Sequence, residues 1–168
     1  MKQELLKIME CIAEGNKELV KELEECISDT EKYYENHQEE FEERGMEDDE
    51  EEEDIQWIAM VDILEREGYV AECDWKEGKE DFLWHVSHLN GIKSKGLELD
   101  EKWFDEAGEI IEWLEILDEK WKAKKVCMAA VDISSDSYVI FPIAAAEFEM
   151  LEELAEEIGF RIALAKDM

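Results

Sequence analysis

Lys125–Pro142, Lys-Val-Cys-Met-Ala-Ala-Val-Asp-Ile-Ser-Ser-Asp-Ser-Tyr-Val-Ile-Phe-Pro, reads as two apolar strands joined by the polar turn Ser134-Ser135-Asp136-Ser137. Val126–Ile133 is almost wholly apolar, the pattern of a strand buried on both faces. Tyr138–Ile143 is its partner. Pro142 has no N–H to give a ladder bond, so the second strand ends there or is an edge at that point. No other stretch carries so clear a hairpin signal.

Working outward from this hairpin, apolar periodicity assigns the neighbouring elements. Downstream, Ala145–Ile158 is a helix with Phe148, Leu151, Leu154, Ala155 and Ile158 on one face, and Gly159 ends it. Phe160–Ala165 is a last strand. Upstream, Asp100 is placed as the N-cap of the longest helix signal. Trp103, Ala107, Ile110, Ile111, Leu114, Leu117 and Trp121 return on its core stripe. Glu80–Leu89 is a shorter helix and Tyr69–Trp75 a first strand. Ile55–Glu67 is a helix whose preceding acids suit the positive end of its dipole.

The first third has a different character. Residues 2–28 form an amphipathic helix, interrupted at Gly15-Asn16, with Leu5, Ile8, Met9, Ile12, Leu19, Leu23 and Ile27 on one stripe. That stripe covers its own domain or pairs with a second copy, which makes a homodimer through residues 2–28 one alternative. Residues 29–54 read as a flexible acidic linker. Tyr33, Tyr34 and Phe41 are its only large apolar residues, and it ends in eight consecutive acids, Glu47–Asp54. The run lacks the alternating acids and mid-loop glycine of an EF-hand calcium loop. The organisation expected is therefore residues 1–28 as an N-terminal helix, 29–54 as linker and 55–168 as an α+β domain. Its sheet is a small mixed one of four strands, with one hairpin and one crossover, covered by about five helices. The strands on either side of the crossover helix should run parallel if they share a sheet.

Composition narrows function without naming it. In 168 residues, 45% are hydrophobic and six are tryptophan, enough for a sizeable core despite a net charge of −31. Such a field disfavours nucleic acid, whose binding depends on Lys and Arg, and anionic membrane surfaces. It favours a basic protein partner and speeds the encounter. There is no apolar run long enough to span a bilayer and no signal-peptide pattern at Met1. Cys11, Cys26, Cys73 and Cys127 form no CxxC pair, so they read as reduced thiols of a cytoplasmic protein.

The polar residues that could form a site lie at strand ends. Asp74 and Trp75 follow the first strand, Asp132 ends the second, and Asp136 and Tyr138 belong to the hairpin turn. Carboxylates that converge there could hold a divalent cation or do acid/base work. Against this, Asp136 among serines is an ordinary turn residue, and Asp74 suits a capping role. His85 and His88, three apart on one helix with Cys73 nearby, offer zinc donors without a recognised spacing. No metal ligand, cofactor or catalytic residue is assigned. Trp75 and Trp84 would be partner anchors if exposed.

Asp74-Trp75-Lys76-Glu77 with Glu80-Asp81-Phe82-Leu83-Trp84, Glu112-Trp113-Leu114 with Leu117-Asp118, and Asp132 with Ser135-Asp136-Ser137-Tyr138 together resemble a bacterial domain-of-unknown-function family of small acidic cytosolic proteins. The resemblance covers about residues 55–166. It implies a common fold and no catalytic residue. The reading that follows is a non-enzymatic acidic module that binds a basic protein, one version being an immunity-type or nucleic-acid-mimicking inhibitor. The alternative is a divalent-metal-dependent enzyme built on Asp74, Asp132 and Asp136.

Overall fold

The computed structural model describes residues 1–47 and 50–168. Its sheet has four strands: β1 (Ala71–Asp74), β2 (Val126–Val131), β3 (Ser137–Ala144) and β4 (Ile162–Leu164). They lie in the order β1-β3-β2-β4, and every neighbouring pair is antiparallel. The mixed sheet expected from the sequence is therefore corrected to an antiparallel one within the α+β class. The reason is that β2 sits between β3 and β4. The chain leaves β3, passes through α9 (Ala145–Glu157) and returns in the direction of β3, but it pairs with the far side of β2. The third and fourth strands do point the same way; they are simply not neighbours.

β2 is buried on both faces, as its unbroken apolar run requires. Val126, Met128 and Ala130 enter one core, while Ala129 and Val131 enter the other. β3 alternates likewise, with Val139, Phe141 and Ile143 on one side and Ile140 on the other. The first core is closed by α1 (Lys2–Ile12), α2 (Lys17–Ser28), α5 (Glu52–Arg66) and α9. The second is closed by α6 (Lys79–His88) and α8 (Ile110–Trp121). A helical layer thus covers each face of the sheet.

Residues 2–28 break into two helices because Glu14 and Gly15 take positive φ, 52° and 77°. Asn16 then caps α2 by accepting a hydrogen bond from Glu18 N at 3.1 Å. The apolar stripe of α1 and α2 is buried in the chain's own first core, so the surface imagined for a second copy is already covered. The expected linker is also corrected. It contains α3 (Thr30–Asn36) and α4 (Gln38–Glu43). Tyr34 and Phe41 stack with centroids 5.1 Å apart and enter the first core. Buried Gln56 donates to Thr30 Oγ1 at 2.7 Å, which ties α3 to α5. The acidic run ends by opening a helix: Glu52, Glu53 and Asp54 form the first turn of α5, where negative charge meets the positive end of the dipole. Asp48 and Asp49 of that run lie outside the described residues.

The long helix expected to be capped by Asp100 has its N-cap nine residues later, at Glu109. Asp100 caps only a single 3₁₀ turn, Glu101–Trp103. Glu109 and Glu112 form a reciprocal capping box at the true start of α8. Gly108 precedes it because a Cβ there would lie 2.5 Å from Trp113 Nε1.

Pro142 is tolerated inside β3 because β1 pairs with β3 only as far as Ile140. Beyond that point α7 (Asn90–Ser94) packs on the strand, with Gly91 buried against the proline ring. A Cβ on Gly91 would meet Pro142 Cγ at 2.5 Å and Cδ at 3.3 Å. Gly91→Ala is expected to cost about 1–3 kcal/mol by overpacking, read as a lower urea midpoint with an unchanged m-value. An unchanged midpoint would show that α7 moves aside freely.

Candidate functional site

The sheet's turn end opens into a cleft of about 900 Å³ bordered by α4, α5, the β2–β3 turn and Phe160. Trp57 of α5 forms its floor. Its ring stacks on Phe160 at 4.4 Å and 7°, and its indole N–H donates to the Asp132 carbonyl at 2.8 Å. The hairpin turn is locked by its own polar groups. Ser134, at φ 58°, gives its N–H to Asp132 Oδ1 at 2.8 Å, and Ser137 N donates to Ser135 Oγ at 3.1 Å.

The cleft is acidic. Glu40, Glu43, Glu50, Asp54, Asp62, Glu65, Glu72 and Asp132 line it, with Arg44 and Arg66 as the cations. Arg44, just past the end of α4, reaches across to three carboxylates. Its Nε donates to Asp62 Oδ1 at 2.6 Å, Nη1 to Glu72 Oε2 at 2.9 Å and Nη2 to Glu65 Oε2 at 3.3 Å. Glu65 also accepts from Glu72 N at 3.2 Å, which holds β1 against α5. Burial pushes Asp62 above the usual carboxylate range. Arg44 pulls it back in part, and the neighbouring Glu65 and Glu40 charges push it up again. Burial works to lower Arg44, but Asp62 and Glu72 more than offset that and raise it. Arg66 is turned to Glu22 at 2.7 Å. Among the described residues, Glu43, Glu50 and Asp54 have no ion pair, so the mouth of the cleft keeps uncompensated negative charge.

The residues singled out from the sequence are divided by this geometry. Asp132 borders the cleft, and Arg161 Nη1 lies 3.6 Å from its carboxylate. Ser134, Ser135 and Ser137 also line it, while Asp136 is exposed at the tip of the turn. Asp74 is paired with Ser137 across β1–β3, and its Oδ1 accepts from Lys76 N at 2.8 Å. Because β3 lies between β1 and β2, Asp74 and Asp132 stand two strand spacings apart, roughly 10 Å. The fold does not bring Asp74, Asp132 and Asp136 together as one ligand set. Tyr138 faces the second core, opposite Cys73. Trp75 and Trp84 are 50% and 58% exposed. Lys76 Nζ sits 4.4 Å over the Trp75 ring.

Sequence reading missed Arg44, Asp62, Glu65 and Glu72. The one signal was the single arginine, Arg44, within the acid-rich first third. All four cysteines are free thiols. Burial, then the Glu77 charge, pushes the Cys73 thiol up, so it is protonated and no ready nucleophile. His88 Nδ1 lies 2.7 Å from the Trp84 carbonyl, away from any joint site with His85. No helix among the described residues is long and apolar enough to cross a membrane.

A family described as a domain of unknown function (DUF6630) matches residues 4–165, so the match takes in the first third as well as the part for which a resemblance was expected. No curated protein and no solved structure matches.

Proposed function

We propose, for a chain that belongs to the DUF6630 family of domains of unknown function, a non-enzymatic role in which its acidic cleft takes up a basic segment of a partner protein. The observation that carries this reading is Arg44. One guanidinium already lies within the cleft with three carboxylates around it, so the lining groups are placed to accept planar cationic donors. Glu43, Glu50 and Asp54 at the mouth are available for a second cation. Phe160, Ile58 and Ile133, which also line the cleft and are half-buried, add an apolar wall for the stem of an arginine or lysine. Electrostatic steering by the net charge of −31 would raise the association rate of such a partner.

The test is binding of an arginine-rich peptide, followed by fluorescence anisotropy at low and high salt. Glu43→Gln, Glu50→Gln and Asp54→Asn combined should weaken binding about tenfold, since three rim charges contribute about 0.5 kcal/mol each. Neutralising Glu149, Glu153 and Glu157, exposed on α9, removes the same charge from another face and should matter much less. Equal losses from the two triple variants would mean that bulk charge, not the cleft, attracts the peptide, and the proposal would fall.

A further inference from the structure

On the other face of the sheet, three potential metal ligands from three consecutive elements converge. Cys73 is on β1, Glu77 in the turn after it and His85 in the second turn of α6. The Cys73 sulfur, a Glu77 carboxylate oxygen and a His85 ring nitrogen all lie within 4.8 Å of one another. His85 Nε2 and Glu77 Oε1 are already 3.1 Å apart. A tetrahedral zinc ion, with bonds of about 2.0–2.3 Å, sets its ligand atoms roughly 3.3–3.7 Å apart. One pair is therefore near the required spacing, and a modest side-chain movement closes the rest.

A second observation points to a missing ligand. Glu77 Oε2 is buried and makes no hydrogen bond. A buried carboxylate oxygen without a partner is costly, and a cation would satisfy it. Cys73 is fully buried, while the Glu77 and His85 side chains are 18% and 25% exposed. The group therefore has a closed sulfur end and an open side through which an ion could enter.

We infer that Cys73, Glu77 and His85 form a binding site for a zinc-class divalent cation, with three protein ligands and one position left for water or a further ligand. The sulfur and imidazole donors select zinc or cobalt over magnesium or calcium, which prefer all-oxygen sets. The charges balance: a thiolate, a carboxylate and a neutral imidazole offset a divalent ion, so the filled site buries no net charge. As the S–metal bond forms, the Cys73 proton passes to solvent. A Cys–His nucleophilic pair is the competing use of these groups. The geometry disfavours it, because His85 Nε2 is engaged by Glu77 rather than by the sulfur. The site is separate from the acidic cleft, whose lining contains none of the three residues.

The test is a titration of chelator-treated full-length protein with Co²⁺, then with Zn²⁺. One equivalent of Co²⁺ should give the intense near-ultraviolet band of a cobalt–thiolate bond, and Zn²⁺ should abolish it. His85→Gln should weaken Zn²⁺ binding at least about tenfold, and Cys73→Ser should remove the thiolate band. His88→Gln should leave both intact. His85 is partly exposed, so its variant keeps the test decisive if Cys73→Ser fails to fold, with circular dichroism as the check on folding. Absence of a thiolate band in the parent protein overturns the inference. So does Zn²⁺ binding that is unchanged in His85→Gln, which would reflect the many surface carboxylates.

Discussion

Trp57→Ala is expected to lower the unfolding free energy by about 3–5 kcal/mol, the range for deleting a large aromatic side chain from a core. Trp57 is 2% exposed and couples three parts of the chain. It belongs to α5, stacks on Phe160 just before β4, and donates to the Asp132 carbonyl at the end of β2. Truncation leaves a cavity beside Phe160 and a carbonyl without its donor. Trp57→Phe keeps part of the stacked surface while losing the N–H and some ring volume, so it should cost less than Trp57→Ala, with about 1–3 kcal/mol of its loss from the unsatisfied carbonyl. Chemical denaturation of the two variants separates packing from hydrogen bonding. A loss below about 1 kcal/mol for Trp57→Ala would contradict the role given to the stack.

Arg44→Met has the second large effect, and it depends on pH. The side chains of Arg44 and Asp62 are only 18% and 25% exposed. Removing the guanidinium leaves Asp62, Glu65 and Glu72 facing one another. Losing one partner of a fully buried pair costs about 3–5 kcal/mol, and partial solvation here reduces that to roughly 2–3 kcal/mol at neutral pH. The sign of the pH dependence follows from Asp62. Burial already raises its folded pKa above the unfolded value. A carboxyl with a raised folded pKa binds its proton more tightly when folded, so it favours folding at low pH and that contribution is lost as pH rises through the folded pKa. Taking away Arg44 raises the folded pKa further. The deficit of the variant against the parent should therefore be greatest at neutral pH and shrink on acidification toward the carboxylate range. A deficit that stays constant with pH would mean that Arg44 acts through the packing of its stem, not through its charge.

The hairpin was legible from residues 125–142 because its two signals agree: an unbroken apolar run for a strand covered on both faces, and a serine-rich turn. Its partners were not. Val131 pairs with both Val139 and Ile162, and the second pairing depends on how α9 crosses the sheet. Nothing local in Phe160–Ala165 encodes which side of β2 it joins. The N-terminal third was misjudged for a related reason. Tyr34 and Phe41 are too few to show a helical period, yet they stack on each other once α5 supplies the wall behind them. The site fared similarly. Asp132 can be chosen from the sequence because strand ends collect polar groups, whereas the serines that also line the cleft read only as turn residues. The Arg44 cluster joins residues separated by 18 to 28 positions, and only folding brings them together. Cys73, Glu77 and His85 lie close in sequence, but only Cys73 and the histidines stand out as donors there, and one more glutamate in so acidic a chain carries no signal of its own.

The order of the strands also bears on how the chain folds. The β2–β3 hairpin needs only a short turn and can form on a microsecond scale. The first core, in contrast, joins Leu5 and Ile8 of α1 to Leu151 and Ala155 of α9, nearly the whole length of the chain away. Closing so long a loop adds little to the equilibrium cost, because that cost grows only logarithmically with length. It does slow folding, since contacts distant in sequence must be found before they stabilise anything. During that search the apolar stripe of α1 and α2 is uncovered and open to other unfolded chains. A net charge of −31 keeps those chains apart. The acid surplus can thus protect the nascent protein from aggregation while its first core is still incomplete.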